Sequence, residues 1–291
     1  MGTKEGFIDV VGGKVWYKKI ESEISKHKTP VLILHGGPGS SHYSMQRLNK
    51  LAKDRPVIFY DQLGCGHSDR PSNQSLWKLE RFVDELKTVR EALLLEDVHI
   101  LGHSWGTTLA AAYLLTNPDG VKSVIFSSPC LSAPLWARDQ DHNRKKLPED
   151  VQQTLKECEE NGMTDSEQYK KATKEFNKRF VCRLDPIPDI LKEAAKFKGR
   201  QSYVTMWGPS EFHVTGNLKS FDCTERLNEL RLTVLYTCGK YDEATPETTK
   251  YYQSLTPNAE FHLFEDSAHI PYLEEEAKYL RVIGEFLANN D

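Results

Sequence analysis

Val98-His99-Ile100-Leu101-Gly102-His103-Ser104-Trp105-Gly106, followed at once by Thr107-Thr108-Leu109-Ala110-Ala111-Ala112, decides how the rest of the chain is read. Strand-like, half-apolar residues enter Gly-x-Ser-x-Gly, and a run of small helix-forming residues leaves it. This is the pattern of a nucleophile elbow, a sharp strand-to-helix turn that exposes the serine Oγ and strains its backbone. Such strain costs about 1–3 kcal/mol. A Cβ at Gly102 or Gly106 would collide with the neighbouring strand or helix. The N–H groups that open the following helix favour a developing anion. A tight turn before an ordinary helix is the plain alternative, but the flanking strand and helix signals favour the catalytic one.

Outward from the elbow, strand and helix signals alternate. Residues 7–11 and 14–20 flank Gly12-Gly13 as an opening hairpin. Residues 30–34 are a buried-strand run that ends in His35-Gly36-Gly37-Pro38-Gly39. Residues 56–60 form the next strand and deliver Asp61-Gln62-Leu63-Gly64-Cys65-Gly66-His67-Ser68. Residues 77–95 have amphipathic helical spacing, and 121–128 read as a strand. Helical patterns follow at 147–161, 166–180 and 189–197, then strands at 232–238 and 260–264 with a helix at 248–255 between them. Residues 273–287 read as a closing helix. The alternation predicts an α/β fold, a mostly parallel central sheet with helices on both faces. The charged, helix-rich stretch 131–223 reads as a cap inserted into a core made of 1–130 and 224–291.

Composition narrows the field. The chain has 291 residues, 38% hydrophobic and 27% charged, with a net charge of -4. That is enough for a large core and gives no electrostatic basis for binding nucleic acid or an anionic membrane. No apolar run approaches a membrane span. Met1-Gly2-Thr3-Lys4-Glu5-Gly6 has neither a signal-peptide core nor the Ser or Thr that myristoylation expects at position 6. Six cysteines without a C-x-x-C pair read as free thiols of a reducing compartment, the cytoplasm. No His/Cys cluster has zinc-ligand spacing, so neither a metal nor a cofactor is expected. Nothing in the sequence sets the oligomeric state.

An alcohol is a poor nucleophile at neutral pH, so Ser104 needs a base within hydrogen-bond reach and a third group to orient it. On an elbow fold the chain order is serine, acid, histidine. Gly239-Lys240-Tyr241-Asp242-Glu243 supplies acids after one strand, and of ten histidines only His269, in Asp266-Ser267-Ala268-His269, follows a later one. Asp242 is the preferred orienter, with Glu243 or Asp266 as alternatives. His35 and His103 precede the serine and read as braces of the active loops. The oxyanion hole would be the Trp105 backbone N–H plus one from residues 35–39, Gly37 first; losing such a donor costs roughly 10²–10³ in rate. A phosphate-cradling loop is the competing use of those glycines, but no Gly-Lys-Ser/Thr follows. Cys65 reads as a small buried filler.

Together, His35-Gly36-Gly37-Pro38-Gly39, the Asp61–Ser68 stretch, Gly102-His103-Ser104-Trp105-Gly106, Gly239-Lys240-Tyr241-Asp242-Glu243 and Ser267-Ala268-His269 resemble the prolyl iminopeptidase family of α/β hydrolases over nearly the whole chain. The resemblance implies a serine peptidase that removes an N-terminal residue, often proline, from peptides with a free amino end. It puts Ser104, Asp242 and His269 on the family's triad, and Gly37 and Trp105 on its oxyanion hole. Such an enzyme must hold an α-ammonium beside the scissile carbonyl. At about 4 Å and an effective dielectric near 20, one carboxylate attracts it by about 4 kcal/mol before desolvation. Glu243 is one candidate. Glu211 is the other, in Trp207-Gly208-Pro209-Ser210-Glu211-Phe212, a segment that resembles the family's amine-binding cap segment. Trp207 and Phe212 would line a pocket for the pyrrolidine ring or belong to the core of the cap. Ser104 argues against epoxide hydrolases and haloalkane dehalogenases, which by resemblance carry Asp there, and a lipase would have a more apolar cap. An amino-acid amide or small-ester hydrolase needs the same groups, and a non-catalytic ligand receptor on this fold is the distant alternative.

Overall fold

The structure, a computed structural model, describes residues 1–291. Eight strands, β1 (Gly2–Val10), β2 (Gly13–Glu21), β3 (Val31–Leu34), β4 (Val57–Tyr60), β5 (Val98–His103), β6 (Val121–Ser127), β7 (Thr233–Gly239) and β8 (Ala259–Phe264), form one sheet. Their order is β1-β2-β4-β3-β5-β6-β7-β8. The β1–β2 and β2–β4 pairs are antiparallel and all others parallel. β3 and β4 are buried at every residue, which is why they read as unbroken apolar runs rather than alternating ones.

Successive strand residues serve opposite faces. Leu32, Leu34, Ile100, Val124, Phe126 and Tyr236 belong to one apolar cluster; Val31, Ile33, Leu101, Ile125 and Leu235 belong to another. Helices α1 (Leu79–Ala92) and α2 (Trp105–Leu114) cover the first face. Between β6 and β7 lie α3 (Ala133–Arg144), α4 (Glu149–Glu160), α5 (Glu167–Phe180), α6 (Asp189–Lys196) and α7 (Arg200–Met206). After β7 come α8 (Pro246–Leu255), α9 (Pro271–Glu274) and α10 (Glu276–Asn289), the last covering the second face. No helix is long and apolar enough to cross a membrane. All six cysteines are buried and unpaired.

Four elements depart from the sequence expectation, each for a physical reason. Residues His42–Lys53 form a 3₁₀ helix that the pattern did not announce. Its buried Met45, Leu48 and Leu51 recur every three residues, the period of a 3₁₀ helix and not of an α-helix. Helices α3 and α7 add to the three expected between β6 and β7. α3 does carry a start signal: Ser132 is its N-cap, with Pro134 in the first turn and the Ser132 Oγ accepting from Leu135 N–H at 3.3 Å. The closing helix is broken at Glu275, whose φ and ψ are −125° and 48°. There Glu274 and Glu275 turn back to the preceding loop: Glu274 accepts from Ala268 N–H at 2.7 Å and Glu275 from Ser267 Oγ–H at 2.6 Å.

Register gathers the functional loops. Leu34 pairs with Gly102, His103 with Ser127, and Gly239 with Phe264. The loops that follow β3, β5, β7 and β8 therefore leave one edge of the sheet, at the carboxyl ends of its strands.

Candidate active site

β5 runs straight into Ser104, whose φ of 53° and ψ of −122° are strained for a residue with a side chain. Close packing imposes the turn. A Cβ on Gly102 would stand 2.4 Å from Gly106 O, and one on Gly106 2.2 Å from Leu34 O. Ser104 N–H donates to Ser127 O at 3.1 Å, and Ser104 O accepts from Thr107 N–H at 2.8 Å. The serine side chain thus sits where β3, β5 and β6 end and α2 begins.

The loop after β3 lies against this turn. A Cβ on Gly36 would come within 3.2 Å of Ser104 Cβ, while Gly37 has φ +123° and no room for a side chain beside Gly39 and Ser40. His35 braces the loop: its Nδ1–H donates to Gly36 O at 2.9 Å and its Nε2 accepts from Gln62 N–H at 3.0 Å. Gln62 Oε1 in turn accepts from the Trp105 indole at 2.8 Å, which ties the loop to the first residue of α2. Burial lowers the pKa of His35 and keeps the ring neutral, as these two bonds require. No loop or cap hydrogen bond occupies the backbone N–H of Gly37 or Trp105. Cys65 is wholly buried nearby, and burial pushes its thiol far up.

The loops after β7 and β8 bring Asp242 and His269 together. His269 Nδ1–H donates to Asp242 Oδ1 at 2.7 Å, and Asp242 also accepts from Ala244 N–H at 2.8 Å and Gly239 N–H at 3.2 Å. Of the three acids weighed for this position, Asp266 is exposed and Glu243 faces the other ring nitrogen, 3.6 Å from Nε2. The ring makes no hydrogen bond to Ser104 Oγ in this resting arrangement; catalytic bonds in empty sites often close only on substrate binding. His103 fastens the His269 loop to the elbow: its Nε2–H donates to His269 O at 2.7 Å, joined by Ser128 Oγ–H at 3.1 Å. Burial lowers the pKa of His103 to about 3, so it is a neutral, fixed donor.

The helical segment between β6 and β7 supplies more of this site than the sequence suggested. The carbonyls of Phe180 and Val181, at the end of α5, accept from Glu243 N–H and His269 N–H, both at 3.1 Å. From α3, Gln140 donates to Glu243 O at 2.9 Å, and the Trp136 indole donates to Glu211 O at 2.8 Å. Trp136 also meets the His269 ring edge-on, centroids 5.8 Å apart. Its partner Trp207 donates to the same Glu211 carbonyl at 3.3 Å. Phe212 packs on Phe176 instead, in the separate apolar cluster of α4 and α5.

Gly37, Ser104, Trp105, Trp136, Trp207 and Glu211 line one narrow cleft. Glu243 is fully buried, and neither carboxylate oxygen has a hydrogen-bond partner. Its pKa is well above the usual carboxylate range, first from burial and then from the charges of Glu211 and Asp242. No lysine or arginine pairs with Glu211 or Glu243. No group of three or more His, Cys, Asp or Glu side chains is arranged to hold a metal ion.

Comparison with known proteins agrees with this architecture. The family model of the alpha/beta hydrolase fold matches residues 29–276. A proline iminopeptidase of Heyndrickxia coagulans is 62% identical over 284 residues, covering 97% of this chain and 98% of that protein. The crystal structure of VinJ superposes with a TM-score of 0.95 at 31% identity, over 99% of each chain. That of the Mycobacterium smegmatis proline iminopeptidase superposes with a TM-score of 0.91 at 32% identity, over 99% of this chain and 98% of that one.

Proposed function

We propose a reaction for this chain, which belongs to the proline iminopeptidase family of α/β hydrolases: hydrolytic release of an N-terminal residue, proline first, from peptides with a free amino end. Ser104 Oγ attacks the scissile carbonyl while His269 Nε2 takes its proton and then gives it to the leaving amine. Asp242 orients the imidazole and stabilises its charged form. The Gly37 and Trp105 N–H groups receive the oxyanion. Water, activated by the same histidine, frees the acyl group from Ser104 and closes the cycle. Residues 131–223 act as the cap over this site. Six buried, unpaired cysteines favour the cytoplasm as its setting.

The observation that carries the reading is the Glu243 carboxylate without a hydrogen bond, with the charge of Glu211 acting on it and no lysine or arginine paired with either. Buried acids left without partners are costly unless a cation arrives with the substrate. An α-ammonium bound by Glu211 and Glu243, carried on the carbon next to the reacting carbonyl, is that cation. Trp136 and Trp207 wall the narrow cleft beside Ser104 and Glu211, where the side chain of that N-terminal residue would lie.

The test is a panel of aminoacyl arylamides with and without N-acetyl blocking, plus proline amide and a short ester. Proline arylamide is expected to be the best substrate, with N-acetylation lowering kcat/KM by about 10² or more, set by the loss of one ammonium–carboxylate attraction. Equal rates on free and blocked substrates would reject the exopeptidase reading. Proline amide far outrunning the arylamides and peptides would replace it with an amide hydrolase.

A further inference from the structure

Glu243 touches the base as well as the amine site. Asp242 and Glu243 face the two nitrogens of a single imidazole, His269, the charge of Glu211 acts on Glu243, and no lysine or arginine pairs with any of the three acids. The other titratable groups around them carry no positive charge. Burial keeps His103 neutral, and it pushes the Tyr203 phenol and the Cys130 thiol up so that both keep their protons. Glu274, from α9, adds only another acid.

Asp242 is matched by two backbone N–H groups and His269 Nδ1–H. Glu243 has no hydrogen bond, and its nearest charge partner is His269 Nε2 at 3.6 Å. A bare buried carboxylate is costly, and the usual remedy is to keep a proton. In the empty site the Glu243–His269 pair therefore holds one proton, on the carboxyl oxygen or on Nε2. Macroscopically that proton belongs to the pair. With the proton on Nε2, 3.6 Å from the Glu243 carboxylate and with Asp242 on the other ring nitrogen, Ser104 has no free base.

We infer that Glu243 is a substrate-operated brake on His269, released when the ammonium of the substrate docks against Glu243 and expels the shared proton to water. This rests on the amine-docking role proposed above. The balance is one proton released to solvent for each ammonium bound, with no other bond broken. Selectivity for a free amino end then appears in turnover as well as in binding, because a blocked substrate meets a base that is still protonated.

Two measurements test it. Titration calorimetry of the Ser104→Ala variant with proline p-nitroanilide, at pH 7 in phosphate and in Tris, counts protons from the difference between the two buffers. About one proton should be released per ligand bound, and none in the Ser104→Ala/Glu243→Gln double variant. Independently, in the wild type the acid limb of kcat for the anilide should lie about one pH unit or more below that of kcat/KM. For p-nitrophenyl acetate, which has no amine, the two limbs should coincide at the higher position. Binding of the anilide without proton release, or coincident limbs for it, overturns the brake and leaves the amine site standing. Equal binding of the anilide and its N-acetyl form overturns the amine site itself.

Discussion

Replacing Gly106 by alanine disturbs the elbow without removing any of the proposed reacting groups. The new Cβ would stand 2.2 Å from Leu34 O, 2.8 Å from Leu34 C and 3.0 Å from His35 O. Ordinary contact begins at 3.4 Å, so strand and helix must part by 3.4 − 2.2 = 1.2 Å. Neither side yields easily. Leu34 is a buried strand residue paired with Gly102, and α2 is buried almost throughout. The displacement falls between the two proposed oxyanion donors, since Trp105 rides on α2 and Gly37 on the loop leaving Leu34. A misplacement of about 1 Å can cost 10² in rate, and losing one donor outright costs about 10²–10³. Gly106→Ala should therefore lower kcat on proline arylamide by roughly 10²–10³, with KM moving less, and cost about 1–3 kcal/mol of stability as an overpacked site. Kinetics are to be measured well below the Tm of the variant, so that unfolding does not pass for lost chemistry. Gly284→Ala is the control: its Cβ meets nothing within 4 Å, and α10 should gain roughly 0.5–1 kcal/mol with full activity. A folded Gly106→Ala enzyme with wild-type kcat would refute the reasoning.

Ser104→Ala should lower turnover by about 10⁴-fold or more while leaving the fold intact, as for other serine nucleophiles; steady-state rates and a thermal melt decide it, and near-normal turnover would reject the assignment. Acid stability offers a separate check on His103. Its pKa is about 3 in the fold against 6.5 unfolded, so the unfolded chain binds a proton that the folded one refuses and stability falls as pH drops through that window. From pH 6.5 to 5 this one group should remove roughly 2 kcal/mol. His103→Gln, which keeps a donor for His269 O, should flatten the dependence by that amount; urea midpoints at pH 7 and 5 measure it, and an unchanged slope would discard the idea.

Much of the fold was legible locally. The elbow glycines, the buried runs of β3 and β4 and the Gly12-Gly13 turn of the opening hairpin each have few physical uses, so residue type and spacing were enough. The expectation that His35 and His103 brace the active loops matches the bonds they make to Gly36 and to His269. Elsewhere local signals failed. The 42–53 helix runs at a period of three, and the closing helix breaks because Glu274 and Glu275 reach back to a loop to which no local signal joins them. α3 has no amphipathic pattern despite its Ser132 cap, because three of the five residues it buries, Asp139, Gln140 and Asn143, are polar and only Ala133 and Trp136 are not.

By itself the sequence determined which residues are chemically able to act, since a serine between two glycines, a late histidine and scattered acids are properties of side chains and their order. Only the tertiary structure decided that Asp242 takes Nδ1, that Glu243 is left facing Nε2 without a partner, and that α3 and α5 grip both loops. Those outcomes turn on burial and on which charges face one another across long stretches of chain, and a carboxylate acquires its cost, and so its use, only from the neighbours that folding gives it.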